Sequence, residues 1–139
     1  MIRKAKLSDL NEINKLGETL HNNFAKLFHL ETEINCKFGI ILVSENNGVI
    51  DGFLYAIEMI DNIDLLSIIV AKEKRGQKIG SLLLEELITY ADDKKATITL
   101  EVSVDNLEAV GLYKKHNFTI VNIRKGYYNG VDANLMRRK

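Results

Sequence analysis

The chain has 139 residues, 46% of them hydrophobic and 27% charged, the profile of one ordinary water-soluble domain spanning 1–139. Nineteen Lys and Arg balance nineteen Asp and Glu, so the global basicity of a nucleic-acid-coating protein is missing and no nucleic-acid partner is expected. A single cysteine, Cys36, excludes an intrachain disulfide and a Cys-rich zinc site, and favours a reducing, cytoplasmic setting.

The charged first ten residues hold no apolar run of signal-peptide length, and no run elsewhere approaches the ~18 residues of a membrane span. The expectation is an unprocessed chain with no membrane partner. There is no proline, no Gly/Ser-rich linker and no internal repeat. Folding a chain of this size buries roughly two-thirds of its accessible surface, enough for one core without a structural metal.

Ile2 to Leu7 alternates as a short strand, and Ser8 is placed to cap a helix whose apolar positions are Leu10, Ile13, Leu16 and Leu20. Phe24, Leu27 and Phe28 suggest a second short helix within 21–38. Gly39 to Glu45 and Val49 to Ile60 are β-rich runs joined by Asn46-Asn47-Gly48, a tight-turn signal because Asn and Gly tolerate positive φ. After the polar Asp61 to Asp64, the run Leu65 to Ala71 is almost continuously apolar and suits a strand covered on both faces. Positions 79, 83, 84, 87, 88 and 91 then define the longest helix. Thr97 to Val104 alternates strictly, Leu107 to His116 reads as a helix behind Asp105-Asn106, and Phe118 to Arg124 and Ala133 to Arg138 read as closing strands.

The sharpest local feature is Arg75-Gly76-Gln77-Lys78-Ile79-Gly80-Ser81, between a buried strand and the start of the longest helix. Glycines at such a turn let main-chain N–H groups face one concavity, and the helix terminus adds partial positive charge, so a pyrophosphate can bind there. Lys72, Lys74, Arg75 and Lys78 add cations against Glu73 alone. The spacing is neither G-x-x-x-x-G-K-[ST] nor G-x-G-x-x-G, which removes the support for ATP hydrolysis or dinucleotide binding. An ordinary strand-to-helix turn with a solvated basic face fits the same local residues.

The block Leu100-Glu101-Val102-x-x-x-Asn106-x-x-Ala109-x-x-Leu112-Tyr113-x-x-x-x-Phe118, together with Arg75-x-x-Lys78-x-Gly80, resembles GNAT-superfamily N-acetyltransferases over residues 39 to 139. The ending Arg124-x-x-Tyr127-Tyr128 with Asp132-Ala133-x-x-Met136 resembles the RimI-type ribosomal-protein N-alpha-acetyltransferases within them. Two positions depart from the family pattern. Lys78 replaces the first glycine of the acetyl-CoA loop, a change compatible with pyrophosphate binding if φ stays negative there. Asn117 stands where Gly is usual, and Asn is the best non-glycine residue for a left-handed helix cap.

The resemblance implies an α/β fold around a mixed, mostly antiparallel sheet, splayed between the strands at Leu65 to Ala71 and Thr97 to Val104 to form an acetyl-CoA cleft. It implies that pantetheine pairs with main-chain groups of Ile68, Ile69 and Val70, that the pyrophosphate sits on Gly76 to Ser81, and that acetyl moves directly to an amine. It further assigns Glu101 as the base that deprotonates the amine and Tyr113 as the acid that protonates the departing thiolate; Asn106 would cap its helix and touch CoA. Without the resemblance, Glu101 reads as a surface ion pair and Tyr113 as a packing aromatic.

His21, His29 and His116 lack metal-ligand spacing, so no metal is expected and the histidines read as structural or exposed. Cys36 reads as an inert, partly buried thiol. G-x-S-x-G is absent, which disfavours an acyl-enzyme. Residues 31 to 64 carry Glu31, Glu33, Glu45, Asp51, Glu58, Asp61 and Asp64 against Lys37, a net charge of −6 that would draw a cationic amine or basic peptide, or simply be an acidic solvated surface. The expected function is acetylation of a protein N-terminal α-amine, with Tyr127 and Tyr128 contacting the peptide backbone, by a monomer or homodimer. Acetylation of a small amine or antibiotic, and a non-catalytic acyl-CoA-binding module, are the alternatives.

Overall fold

Residues 1–19, 30–128 and 130–139 are described by the computed structural model. The expected second helix falls largely on 20–29, and Leu20, His21, Phe24, Leu27, Phe28 and His29 lie outside the described residues. The strands are β1 (Ile2–Lys4), β2 (Gly39–Asn46), β3 (Val49–Glu58), β4 (Asn62–Val70), β5 (Thr97–Ser103), β6 (Thr119–Tyr128) and β7 (Val131–Arg138). The helices are α1 (Leu10–Gly17), α2 (Leu30–Glu33), α3 (Ile79–Lys94) and α4 (Leu107–Lys115). One sheet takes the order β1-β2-β3-β4-β5-β7-β6, antiparallel throughout except where β4 runs parallel to β5. This is the mixed, mostly antiparallel sheet that the sequence leads one to expect.

Its two faces carry different cores. Leu42, Leu54, Ala56, Ile63, Leu65, Ile98, Leu100 and Val102 meet Leu83, Leu84, Leu87 and Ala91 of α3 and Val110 and Tyr113 of α4. Ile41, Val43, Phe53, Tyr55 and Ile69 meet Ile13 of α1 and Leu30 of α2 on the other face. Gly52 permits the first of these contacts: a Cβ there would stand 3.0 Å from Ile79 Cγ2, so its absence lets α3 begin directly against β3.

β4 changes face partway along. Ile63 and Leu65 belong to the core under α3, whereas Ile69 belongs to the opposite core and Ile68 and Val70 pack toward α3. An extra residue explains the switch: Tyr55 pairs with Ser67 and Ala56 with Leu65, leaving Leu66 as a β-bulge. The same point ends the pairing with β5, which runs only from Asn62↔Thr97 to Leu65↔Leu100. β7 pairs with the other edge of β5 from Ile98 to Ser103, so beyond Leu100 β5 keeps that partner alone. The two strands are therefore splayed from Leu66 onward.

Several boundaries differ from the sequence expectation. β1 stops at Lys4 and Ser8 caps nothing; a 3₁₀ turn at Leu7–Asp9 intervenes, with the Lys6 N–H donating to Asp9 Oδ2 at 2.7 Å. Arg3 clamps both oxygens of Asp9, at 2.8 and 3.1 Å, and holds that carboxyl below its usual range. An ionised carboxylate outcompetes the neighbouring hydroxyl for the turn. β6 runs on to Tyr128 rather than ending at Arg124, because its partner β7 begins two residues earlier than the apolar pattern suggests. Asn47 and Gly48 have φ of 55° and 78°, the paired left-handed residues that the Asn-Gly turn predicts, and Asn117 caps α4 at φ 70°.

Candidate active site

A cleft of about 520 Å³ opens where β4 and β5 part. Ile68, Ile69 and Val70 form one wall, the loop and first turn of α3 (Lys74, Arg75, Gly76 and Lys78 to Ser81) the second, and Asn106 with α4 through Tyr113 and Lys115 the third. Past the bulge, Ile68 to Val70 pair with β3 but not with β5, so this edge of the strand faces the cleft.

The loop builds an anion site from main-chain groups. The first intrahelical bond of α3 runs from the Leu82 N–H to the Lys78 carbonyl at 3.0 Å, which leaves the N–H groups of Ile79, Gly80 and Ser81 without helical acceptors. Lys74, Arg75, Lys78 and Lys115 line the same cleft against Glu108, so its field is positive. Arg75 Nε donates to the Val70 carbonyl at 3.3 Å, tying the loop to the strand that it follows. The condition of a negative φ at Lys78 is not met: Lys78 lies at φ 65°, ψ 19° as the residue capping α3, and the anion site rests on the N–H groups of Ile79 to Ser81 that follow it. The chain reverses through Gly76 at φ 85° and must reverse again to enter the helix, and only a left-handed residue does this in so few positions. That geometry accounts for the glycine that the family pattern places at this position.

α4 presents the next group. Asn106 Oδ1 accepts the Ala109 N–H at 3.2 Å, the expected cap, and Asn106 also lines the cleft. Tyr113 is 9% exposed, with its ring centroid 5.6 Å from that of Phe118. His116 closes the helix, its Nδ1 2.9 Å from the Leu112 carbonyl and its Nε2 3.1 Å from Glu85 Oε2 on α3. Its role is structural, as expected. Cys36 is exposed rather than partly buried, because it sits in a turn whose main chain bonds Glu33 and Gly39.

Glu101 is not part of the cleft wall. The alternation that sends Ile98, Leu100 and Val102 into the core under α3 turns Thr97, Thr99 and Glu101 to the opposite face. Glu101 is the first β5 residue beyond the parallel pairing, so it stands at the mouth of the splay. Asp64, paired with Thr99 on β4, shares that face, and burial together with the Glu101 charge pushes its carboxyl up. Arg124 Nη1 donates to both Glu101 oxygens, at 2.9 and 3.0 Å, and its guanidinium carbon lies 4.5 Å from the Tyr127 ring centroid.

Of the residues singled out in the sequence, Ile68 to Val70, Arg75, Gly76, Lys78 to Ser81, Asn106 and Tyr113 meet at one cleft. Gln77 and Tyr127 lie outside its lining, and the Tyr128 side chain lies outside the described ones. Arg124 and Asp64 are the residues that sequence reasoning misses as site groups, since each meets Glu101 only through strand pairing. The acidic segment does not form one wall: Glu45 pairs with Arg3 and Glu58 with Lys94 and Tyr90, while Asp51 accepts from Asn46.

Comparison with known proteins agrees with this arrangement. Residues 8–118 match the model of the Acetyltransferase (GNAT) family. An N-alpha-acetyltransferase of Saccharolobus solfataricus is 33% identical over 154 residues, covering 99% of this chain and 91% of its own. The crystal structure of the ribosomal-protein-S18-alanine N-acetyltransferase from Escherichia coli superposes with a TM-score of 0.88 at 25% identity, covering 99% of this chain and 91% of that one. An N-acetyltransferase from Staphylococcus aureus Mu50 gives 0.84 at 25% identity, covering 100% and 97%. With a splayed β4–β5 pair, a cationic helix start beside it and a family match across most of its length, the chain belongs to the GNAT acetyltransferase family, whose members transfer acetyl from acetyl-CoA to an amine.

Proposed function

We propose that this chain acetylates the α-amine of a protein amino terminus by direct transfer from acetyl-CoA. The observation that carries the reading is the two-sided splay: a cationic main-chain cleft on the helix face and the Glu101 carboxylate at its mouth on the other. The full-length relative named for N-alpha-acetylation supports the choice of acceptor.

The pyrophosphate would rest on the N–H groups of Ile79, Gly80 and Ser81 among Arg75 and Lys78, and the pantetheine arm would follow Ile68 to Val70 toward the splay. The acceptor enters from the Glu101 face. A protein α-ammonium has a reference pKa of about 7.7 to 8.0, so Glu101, directly or through a water, removes a modestly held proton and frees the nitrogen lone pair. That nitrogen attacks the thioester carbonyl while strand N–H groups stabilise the oxyanion. The adduct nitrogen sheds its second proton to water as collapse breaks the C–S bond, and Tyr113 gives its phenolic proton to the leaving thiolate, whose acid has a pKa of about 8.5 against about 10 for a tyrosine. Much of the rate comes from holding thioester and amine in register across the sheet.

Mass spectrometry of peptides incubated with acetyl-CoA tests the acceptor. The expected product is an Ala-initiated peptide carrying one acetyl group on its α-nitrogen. Far faster modification of spermidine or an aminoglycoside than of any peptide would overturn the proposal.

A further inference from the structure

We propose that Arg124 is the positioning residue of Glu101, and that Tyr127 serves the reaction by holding Arg124. The inference rests on the reading of Glu101 as the base, and it concerns what fixes that base in place.

A glutamate terminus rotates broadly about its last torsion, so a base on this side chain must be oriented by something else. Arg124 does so with one nitrogen that reaches both carboxylate oxygens, at 2.9 and 3.0 Å. The pair is part-exposed, the Arg124 side chain by 52% and the Glu101 side chain by 25%, and an ion pair so open to water is weak unless its partners are held. Tyr127 supplies the hold, with its ring 4.5 Å from the guanidinium carbon.

That stacking depends on an irregularity. In a regular strand residues 124 and 127 point to opposite faces, because side chains alternate with a period of two. Here Arg124 pairs with Ala133 and Tyr128 with Val131, so three residues oppose Asp132 alone and the excess turns Tyr127 back onto the Arg124 side. The bulge is itself fastened. Gly126, at φ 64°, donates its N–H to Asp132 Oδ1 at 3.0 Å, and Lys125 pairs with the same carboxylate at 3.5 Å. The hairpin is thus built to present a guanidinium to Glu101.

The charges around Glu101 make the role measurable. Arg124 faces it from β6, Asp64 shares its face from β4, and β7 opposes it with the uncharged Leu135. Removing a contacting cation disfavours an ionised carboxylate and removing a nearby carboxylate favours it, so substitutions of the two neighbours should act in opposite directions.

The test is the acidic limb of kcat/KM against pH for an Ala-initiated peptide. Arg124→Gln should move that limb up and lower kcat, and Asp64→Asn should move it down. Arg124→Lys should return the limb toward wild type more completely than it returns kcat, since it keeps the charge but loses the planar guanidinium face that lies against Tyr127. Tyr127→Ala should shift the limb in the direction of Arg124→Gln, whereas Tyr127→Phe, which keeps the ring face, should leave the limb in place. An unchanged acetyl-CoA-induced melting shift in each variant confirms that the fold persists, and Tyr127→Ala and Asp64→Asn carry the test if Arg124→Gln does not fold. If Glu101→Gln displaces the limb to the range of the free amine but the Arg124 and Tyr127 variants leave it unmoved, the positioning role is wrong and the base reading stands. If Glu101→Gln keeps both limb and rate, the base reading itself has failed.

Discussion

Lys78 sits at φ 65°, ψ 19°, a conformation that costs a residue with a Cβ roughly 1–2 kcal/mol. Lys78→Gly should relieve that strain, offset in part by the greater freedom of glycine in the unfolded chain, for a net gain of a few tenths to about 1 kcal/mol. The same change removes a cation from the cleft, so affinity for acetyl-CoA should fall as stability rises. Chemical denaturation and a ligand titration read the two effects separately, and a loss of stability would show that the left-handed geometry is not strained. Glu101→Gln and Tyr113→Phe should each lower turnover, by about 10² to 10⁴-fold, with little change in acetyl-CoA affinity. They part with pH. A missing base is partly rescued as the amine deprotonates itself at higher pH, and a missing acid is not; identical profiles would contradict the assigned roles. At this scale the anion loop was legible because its chemistry is local: cations, glycines and a helix start lie within seven residues. The left-handed turn at Lys78 was not, since it follows from how a loop meets a helix. Arg124 on Glu101 was not either, for the pair is 23 residues apart in sequence.

Element by element, hydrophobic period carried the reading furthest where burial is one-sided. β5 alternates between intermediate and buried positions along Thr97–Ser103, as its residue pattern requires, and α3 keeps Leu83, Leu84, Leu87 and Ala91 inward. β4 defeats that logic. Its apolar run is buried on alternating faces, so the bulge at Leu66 leaves no trace in residue type, although it is the feature that opens the site. The cleft is also tied to the packing of α3 on β3 at Gly52, which pairs with Val70. Gly52→Ala places a Cβ 3.0 Å from Ile79 Cγ2 and 3.3 Å from the Ile69 carbonyl. Overpacking of this kind costs about 1–3 kcal/mol, and the displaced element would be the first turn of α3, where the anion site lies. We expect a lower melting temperature together with weaker acetyl-CoA binding. A variant that melts lower yet binds as tightly as wild type would show that the helix start does not depend on this contact.

Across the whole molecule, zero formal charge conceals a division of labour. The cleft between Ile68 to Val70 and α4 is lined by four cations and Glu108, while the opposite face holds Glu101 and Asp64 at the point where the strands part. An anionic donor and a cationic acceptor can therefore approach one sheet from two sides and meet at the splay. Acetyl-CoA at a hundredfold excess over its Kd should stabilise the folded chain by roughly 2.7 kcal/mol, and free acetate should not. The most direct test of the cleft compares that stabilisation in wild type and Gly80→Asp. Position 80 has room for a side chain, since a Cβ there would stand 3.7 Å from Leu112 Cδ2 and 3.9 Å from Val70 Cγ2, and a carboxylate in the first turn suits the helix dipole. The variant should melt no lower than wild type without ligand yet lose most of the acetyl-CoA-induced shift, because its charge would face the pyrophosphate. An equal shift in both proteins, or none in wild type, would contradict the placement of acetyl-CoA between β4 and β5.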